Sequence, residues 1–131
     1  MHKKFVTFKR YSGEGAESTV IALDQLFKMG AENGFEHIVF GMPHRGKLNT
    51  LTNVLEYPAS LLFHKISGKT DTPLELHNVI DDVTSHIGQS IQKNYDGKKT
   101  KVTLVHNPSH LEAQNPVSMG KTRSKQAHYG Q

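Results

Sequence analysis

Residues 37–49 read HIVFGMPHRGKLN, and this stretch decides the architecture. Residues 37–42 form a short apolar run, rich in β-branched and aromatic side chains, which reads as a buried strand. Pro43-His44-Arg45-Gly46 breaks that strand, and Leu48, Leu51, Val54 and Leu55 then share one helical face. Upstream, Val20, Leu23, Leu26, Phe27 and Ala31 recur at helical spacing over residues 14–33, and Asn33-Gly34 supplies a stop. Downstream, Pro58 suits the first turn of a further helix, with Leu61, Leu62 and Ile66 apolar behind it. Residues 67–82 have no clear period and are expected to form an extended loop. Residues 101–105 (KVTLV) read as a second strand followed by an Asn107-Pro108 turn. Asn115-Pro116 reads as an N-cap with proline at the first position of a basic final helix. Helices alternating with buried strands predict an α/β chain with a partial parallel sheet. In such sheets ligands sit beyond the carboxyl ends of the strands, where both unusual loops lie.

Composition bounds the rest. The 131 residues are 35% hydrophobic with no cysteine, which excludes disulfides, thiolate metal sites and cysteine nucleophiles. Counting Gly and leaving out Tyr brings the apolar share to about 40%, lean against the usual ~45–50%. No apolar run approaches the ~18–20 residues of a membrane span, so a soluble chain without a membrane partner is expected. The net charge of +4 is uneven: Lys3, Lys4, Lys9 and Arg10 open the chain without an acid, the middle is acidic, and the last forty residues are basic again. Basic ends could attract nucleic acid, but no basic stripe interleaves with aromatics, so a solvated surface is the expectation. The acid-free start resembles the opening of a transit peptide, though arginine is scarce there.

Three clusters carry chemistry. In residues 41–49, Gly41 and Gly46 permit close backbone approach, His44 can exchange a proton near neutrality, and Arg45 can clamp a carboxylate or phosphate. A helix start near Leu48 would add a favourable field, making this an expected anion site; a plain strand-to-helix turn is the structural alternative. In residues 106–112, His106 and His110 stand four apart, but Pro108 between them argues against one continuous helix, so no metal pair is read here. Ser109 and His110 are adjacent and would point apart in extended chain, which disfavours a catalytic dyad. A loop presenting hydroxyl and imidazole to a ligand is the functional reading, compatible with a helix start capped by Ser109. Third, His86 follows the acidic pair Asp81-Asp82, a weak signal alone. The Gly13/Gly15 pair resembles a phosphate loop but lacks a preceding strand.

Taken together, KRYSGEGAES (residues 9–18), GMPHRGKLN (41–49), DVTSHIG (82–88), NPSHLEAQNPV (107–117) and GKTRSKQ (120–126) occur in the order of one family. From Lys4 to Gln126 the chain resembles the thiamine-diphosphate-dependent E1 component of 2-oxoglutarate and 2-oxoadipate dehydrogenase complexes. KRY, Ser85-His86 and GKTR look more like the 2-oxoadipate branch. The resemblance implies the front portion of the first α/β, diphosphate-binding domain of a transketolase-like fold, spanning residues 1–131. It implies that His44 and His86 bind or protonate a 2-oxo acid, with His110 a third catalytic group. Arg45 would line both cofactor and substrate carboxylate, Ser109 and Leu111 would lie against cofactor and reacting carbon, and Tyr11 would stand in the substrate pocket. The partners implied are a 2-oxo acid, lipoyl-bearing E2, E3 and a second E1 subunit; the address implied is mitochondrial. Lys3 to Tyr11 then belong to the folded pattern rather than to a transit peptide.

Departures from that pattern also shape the expectation. Lys47 stands where most members carry arginine, keeping charge but losing planar bidentate contact. The family's Gly-Asp…Asn stretch for Mg²⁺ and diphosphate, and the glutamate that activates the aminopyrimidine, are expected downstream of Gln126. No metal ligand is therefore assigned, and the chain alone is expected to be inactive. Two other readings remain at this stage: a non-catalytic paralogue that binds E1 or E2, and a basic nucleic-acid module using Lys93–Lys101 and Lys121–Lys125.

Overall fold

The apolar run at residues 37–42 supplies a strand, β1 (His37–Phe40), and all of KVTLV but Val105 lies within another, β3 (Lys98–Leu104). The two pair in parallel, with His37 opposite Lys101 and Phe40 opposite Leu104. The structure, a computed structural model, describes residues 12–67 and 86–129. Tyr11 and most of the loop expected over residues 67–82 lie outside the described residues. The helices are α1 (Ser18–Glu32), α2 (Lys47–Asn53), α3 (Ala59–Ile66) and α4 (Leu111–Tyr129). None is long and apolar enough to cross a membrane.

The sheet corrects the parallel expectation. It holds three strands among the described residues, in the order β1-β3-β2, because β2 (Gln89–Tyr95) pairs antiparallel with β3. The sequence reading missed β2 because its apolar content is one Ile and one Tyr among polar residues. Its alternation is nonetheless real: Gln89, Ile91, Lys93 and Tyr95 are half-buried, whereas Ser90, Gln92 and Asn94 are exposed. Asp96-Gly97 closes the hairpin with φ of 51° and 87°, the two left-handed residues of a type I′ turn. That turn also moves the start of β3 three residues earlier than KVTLV suggested.

The core follows from the period-two pattern of these strands. Ile38, Phe40, Ile91, Val102 and Leu104 share one face, where they meet Phe27 of α1 and Leu51, Val54 and Leu55 at and beyond the end of α2. The Phe27 and Phe40 rings lie 5.4 Å apart, tilted. Polar ties hold β2 at its edge: Lys93 pairs with Glu56 at 2.9 Å and reaches Asp24 at 3.8 Å. Tyr95 Oη donates to Asp24 at 2.6 Å, and burial followed by that carboxylate pushes the phenol well above its usual pKa.

The opposite face is covered more thinly, by α4 lying along β1. This helix starts at Leu111, four residues before the expected Asn115-Pro116 cap, and Pro116 sits inside it. It can start early because the His110 carbonyl accepts both Ala113 N–H and Gln114 N–H at 3.1 Å. Pro116, the sixth residue of the helix, forfeits the bond that an N–H there would donate to the Glu112 carbonyl. At the far end Tyr129 stacks on His37 at 4.9 Å, and Lys125 Nζ lies 3.3 Å from His37 Nδ1. A cavity of ≈ 530 Å³ remains between this part of α4 and residues 34–39.

Two predictions follow from this packing. A Cβ at Gly88 would sit 2.7 Å from the Leu104 carbonyl oxygen and 2.8 Å from His106 N, both backbone atoms. Gly88→Ala should therefore destabilise the chain by about 1–3 kcal/mol, measured by urea unfolding; an unchanged midpoint would show that the approach is not so close. Burial, and then the Lys125 charge, lower the His37 pKa, with Glu36 opposing. The unfolded chain thus takes up the proton more readily, so the neutral ring's contribution is whole above the ordinary imidazole value of 6.5 and is lost as pH falls through the folded pKa. His37→Phe keeps a ring for Tyr129 but cannot titrate, so its stability relative to wild type should rise as pH falls from about 7 to 5. A difference independent of pH would refute this.

Candidate functional site

Parallel pairing sends the chain out of β1 and β3 at the same edge, and the last ladder bond, Val105 N–H to the Phe40 carbonyl, is 3.0 Å. Beyond it the two loops are joined through Asn107, only 4% exposed. Its Nδ2 donates to the Met42 carbonyl at 3.0 Å and to its neighbour's, Pro108, at 2.7 Å. Its Oδ1 accepts from Lys47 Nζ at 3.1 Å, and Lys47 is fully buried. The lysine noted as a departure from the family's arginine is thus an internal donor to a neutral amide. A point-like ammonium reaches this acceptor without the bidentate geometry of a guanidinium.

Gly46 explains how Lys47 turns inward. Its φ of 72° is left-handed, which glycine adopts without the penalty a Cβ would bring. Lys47 N–H donates to the His44 carbonyl at 3.2 Å, closing a tight turn into α2. A Cβ on Gly46 would lie 3.7 Å from Gly13 Cα, so the SGEG turn leans against this loop. Gly13, one of the glycine pair that carried little weight in sequence, is thereby part of the same wall, whereas Gly15 meets nothing within 4 Å. Helix α2 starts at Lys47, one residue before the expected helix start near Leu48, and has seven residues.

A third segment reaches the same edge. Gly88 N–H donates to His106 Nδ1 at 3.1 Å, which fixes Nδ1 as acceptor and leaves the neutral ring's proton on Nε2. His86, two residues earlier, is carried there with it. The structure thus gathers the segments bearing His44-Arg45, His86 and Ser109-His110-Leu111. His44, His86 and Ser109 are half-buried, while Arg45, His110 and Leu111 are exposed. The rim is open to solvent at Arg45, His110 and Leu111. A guanidinium can clamp a carboxylate, and imidazole rings can hydrogen-bond one. Tyr11, the remaining expected site residue, lies outside the described residues.

Sequence reasoning missed Asn107 and Gln114 as working parts. Gln114, on the first turn of α4, has its Oε1 buried with no hydrogen-bond partner among the described residues. It faces Gly41, where a Cβ would collide with both it and the Ser118 hydroxyl. Gly41 therefore leaves the room that the Gln114 and Ser118 side chains of α4 occupy at the end of β1. Only the strand–loop–helix geometry shows this. No group of three or more His, Asp or Glu side chains among the described residues is arranged to hold a metal.

Comparison with known proteins bears on the identity of this rim. No family model matches the chain. The chain is 48% identical over 128 residues to a probable 2-oxoadipate dehydrogenase complex component E1 homolog of Dictyostelium discoideum, covering 96% of this chain and 14% of the relative. It is 46% identical over 124 residues to the Homo sapiens 2-oxoadipate dehydrogenase complex component E1, covering 94% of this chain and 13% of the relative. A 2-oxoglutarate dehydrogenase E1 component of Brucella ovis is 42% identical over 123 residues, covering 94% of this chain and 12% of the relative. The chain spans about an eighth of the length of these curated relatives. With identity this high along nearly all of its residues, the chain belongs to the family of 2-oxoadipate and 2-oxoglutarate dehydrogenase E1 components, matching one short stretch of them.

Proposed function

We propose that the rim at the carboxyl ends of β1 and β3 is the substrate-handling side of an E1 2-oxo acid dehydrogenase site, with 2-oxoadipate or 2-oxoglutarate as substrate class. The observation that carries this is the convergence of the His44-Arg45, His86 and Ser109-His110 segments on one edge through Asn107 and the Gly88–His106 bond. The names of the relatives support the reaction class, and the higher identity to the 2-oxoadipate proteins favours that branch.

On this reading Arg45 pairs with a substrate carboxylate, and its exposure leaves it free to meet a soluble dianion. His44 and His86 hydrogen-bond the 2-oxo group or its neighbouring carboxylate and supply or take a proton there. Ser109 and His110 flank the reacting carbon, and Leu111 offers an apolar contact beside it. Thiamine diphosphate, when bound, supplies the nucleophile and electron sink for decarboxylation. Arg45, Ser109 and Leu111 suit one side of that cofactor. The magnesium is a different matter, because the described residues hold no triple of metal-ligating side chains. No step is assigned to the metal, and the chain alone should neither retain cofactor tightly nor turn over. The acyl group then passes to a lipoyl-bearing E2, with E3 and a second E1 subunit as further partners and the mitochondrial matrix as the compartment.

Titration of the chain with 2-oxoglutarate or 2-oxoadipate, followed by amide NMR, tests this. Shifts should appear at residues 44–46 and 106–111 with roughly millimolar affinity, as a few exposed polar contacts allow, and Arg45→Ala should remove them. Absence of any response in wild type would overturn the proposal. With this chain replacing the matching 128 residues of the Dictyostelium relative, His44→Ala and His86→Ala should each lower turnover by about 10²-fold or more. Undiminished rates in both would refute their roles.

A further inference from the structure

The bridge through Asn107 has a direction. An ammonium in the interior loses its hydration, a cost of several kcal/mol that hydrogen bonds must offset. Lys47 is 0% exposed and spends a donor on Asn107 Oδ1, sixty residues along the chain. That bond orients the amide: with Oδ1 held by the ammonium, Nδ2 faces the Met42 carbonyl and locks the turn that leads into Pro43-His44-Arg45. The same asparagine begins the loop that carries Ser109 and His110. Its Nδ2 also donates to the Pro108 carbonyl, which curls this second loop. One amide is thus shared by both halves of the rim, and one buried charge sets its orientation.

We propose that Lys47 is a positioning residue: through Asn107 it sets the register in which the His44-Arg45 loop faces the Ser109-His110 loop around a 2-oxo acid. This rests on the substrate-handling reading above for its ligand, but not for the coupling between loops. Lys47 contributes no substrate contact in this role. Its side chain acts on the rim through that amide. A guanidinium can donate to the same oxygen, whereas an apolar chain of similar length cannot, so arginine and methionine separate the two cases.

The test uses the whole chain, with Lys47→Met, Lys47→Arg, Asn107→Ala and the double variant Lys47→Met/Asn107→Ala, read by amide NMR and by titration with 2-oxoglutarate. Lys47→Met should leave the β1–β3 ladder amides in place while moving those of Ser109 and His110. It should weaken 2-oxoglutarate binding roughly tenfold, the scale of coupling between contacting residues. Lys47→Arg should restore both readouts. Asn107→Ala should reproduce the loss, and the double variant should be no worse than either single one. Losses that add in the double variant, unmoved Ser109 and His110 amides, or failure of arginine to rescue would overturn the proposal. Should Lys47→Met unfold, Asn107→Ala carries the same two readouts against wild type. If wild type binds no 2-oxoglutarate, the substrate reading fails, while the amide shifts and the double-variant comparison still decide the coupling.

Discussion

The parallel register of β1 on β3, with Phe40 opposite Leu104, is the constraint on which the molecule turns. A tight turn cannot join parallel strands; the chain must leave one end of the sheet and return to the other. Both strands therefore empty their following loops onto one edge, and everything between residues 40 and 98 belongs to the return path. The helices of that path serve the core as well, since Leu51, Val54 and Leu55 cover the sheet face that Phe27 also covers. The antiparallel β2 then uses the free side of β3 and, through Gly88, brings the His86 segment to the same edge.

The two ends of β1 are built from different chemistry. At its carboxyl end the ties are buried and polar, and Lys47, Asn107 and Thr50 are all nearly inaccessible. At its amino end they are aromatic and cationic, with His37, Tyr129 and Lys125 packed at the margin of a cavity. Desolvation and then the neighbouring Lys101 and Lys121 charges lower the Lys125 pKa, so this end is a small region of crowded positive charge. Helix α4, which runs along β1 from one end to the other, has no buried residue, which places it among the least protected elements.

Legibility in the sequence followed burial. The strand at HIVF, the helix face of Leu51, Val54 and Leu55, and the α1 repeat around Phe27 were readable because their side chains enter one core. Hairpin β2 was not, because Lys93 and Tyr95 earn their half-buried positions from Asp24 and Glu56, partners on distant segments. The early start of α4 was hidden for a related reason: Pro116 looks like a helix opening, while the His110 carbonyl that opens it carries no side-chain signal.

By itself the sequence determined the α/β character, the two strand-to-loop junctions and the family, since each rests on local runs of residue types long enough to be specific. It also pointed to His44, Arg45, His86, Ser109 and His110 as carriers of chemistry. Only the tertiary structure decided that the His86 segment joins the edge where the other two loops were expected, that the sheet is mixed, and that Lys47 points inward to Asn107 rather than outward to a ligand. The physical reason is range. Residue type and spacing report forces within a few turns of chain, whereas the burial of an ammonium and the orientation of one amide are set by groups sixty residues apart.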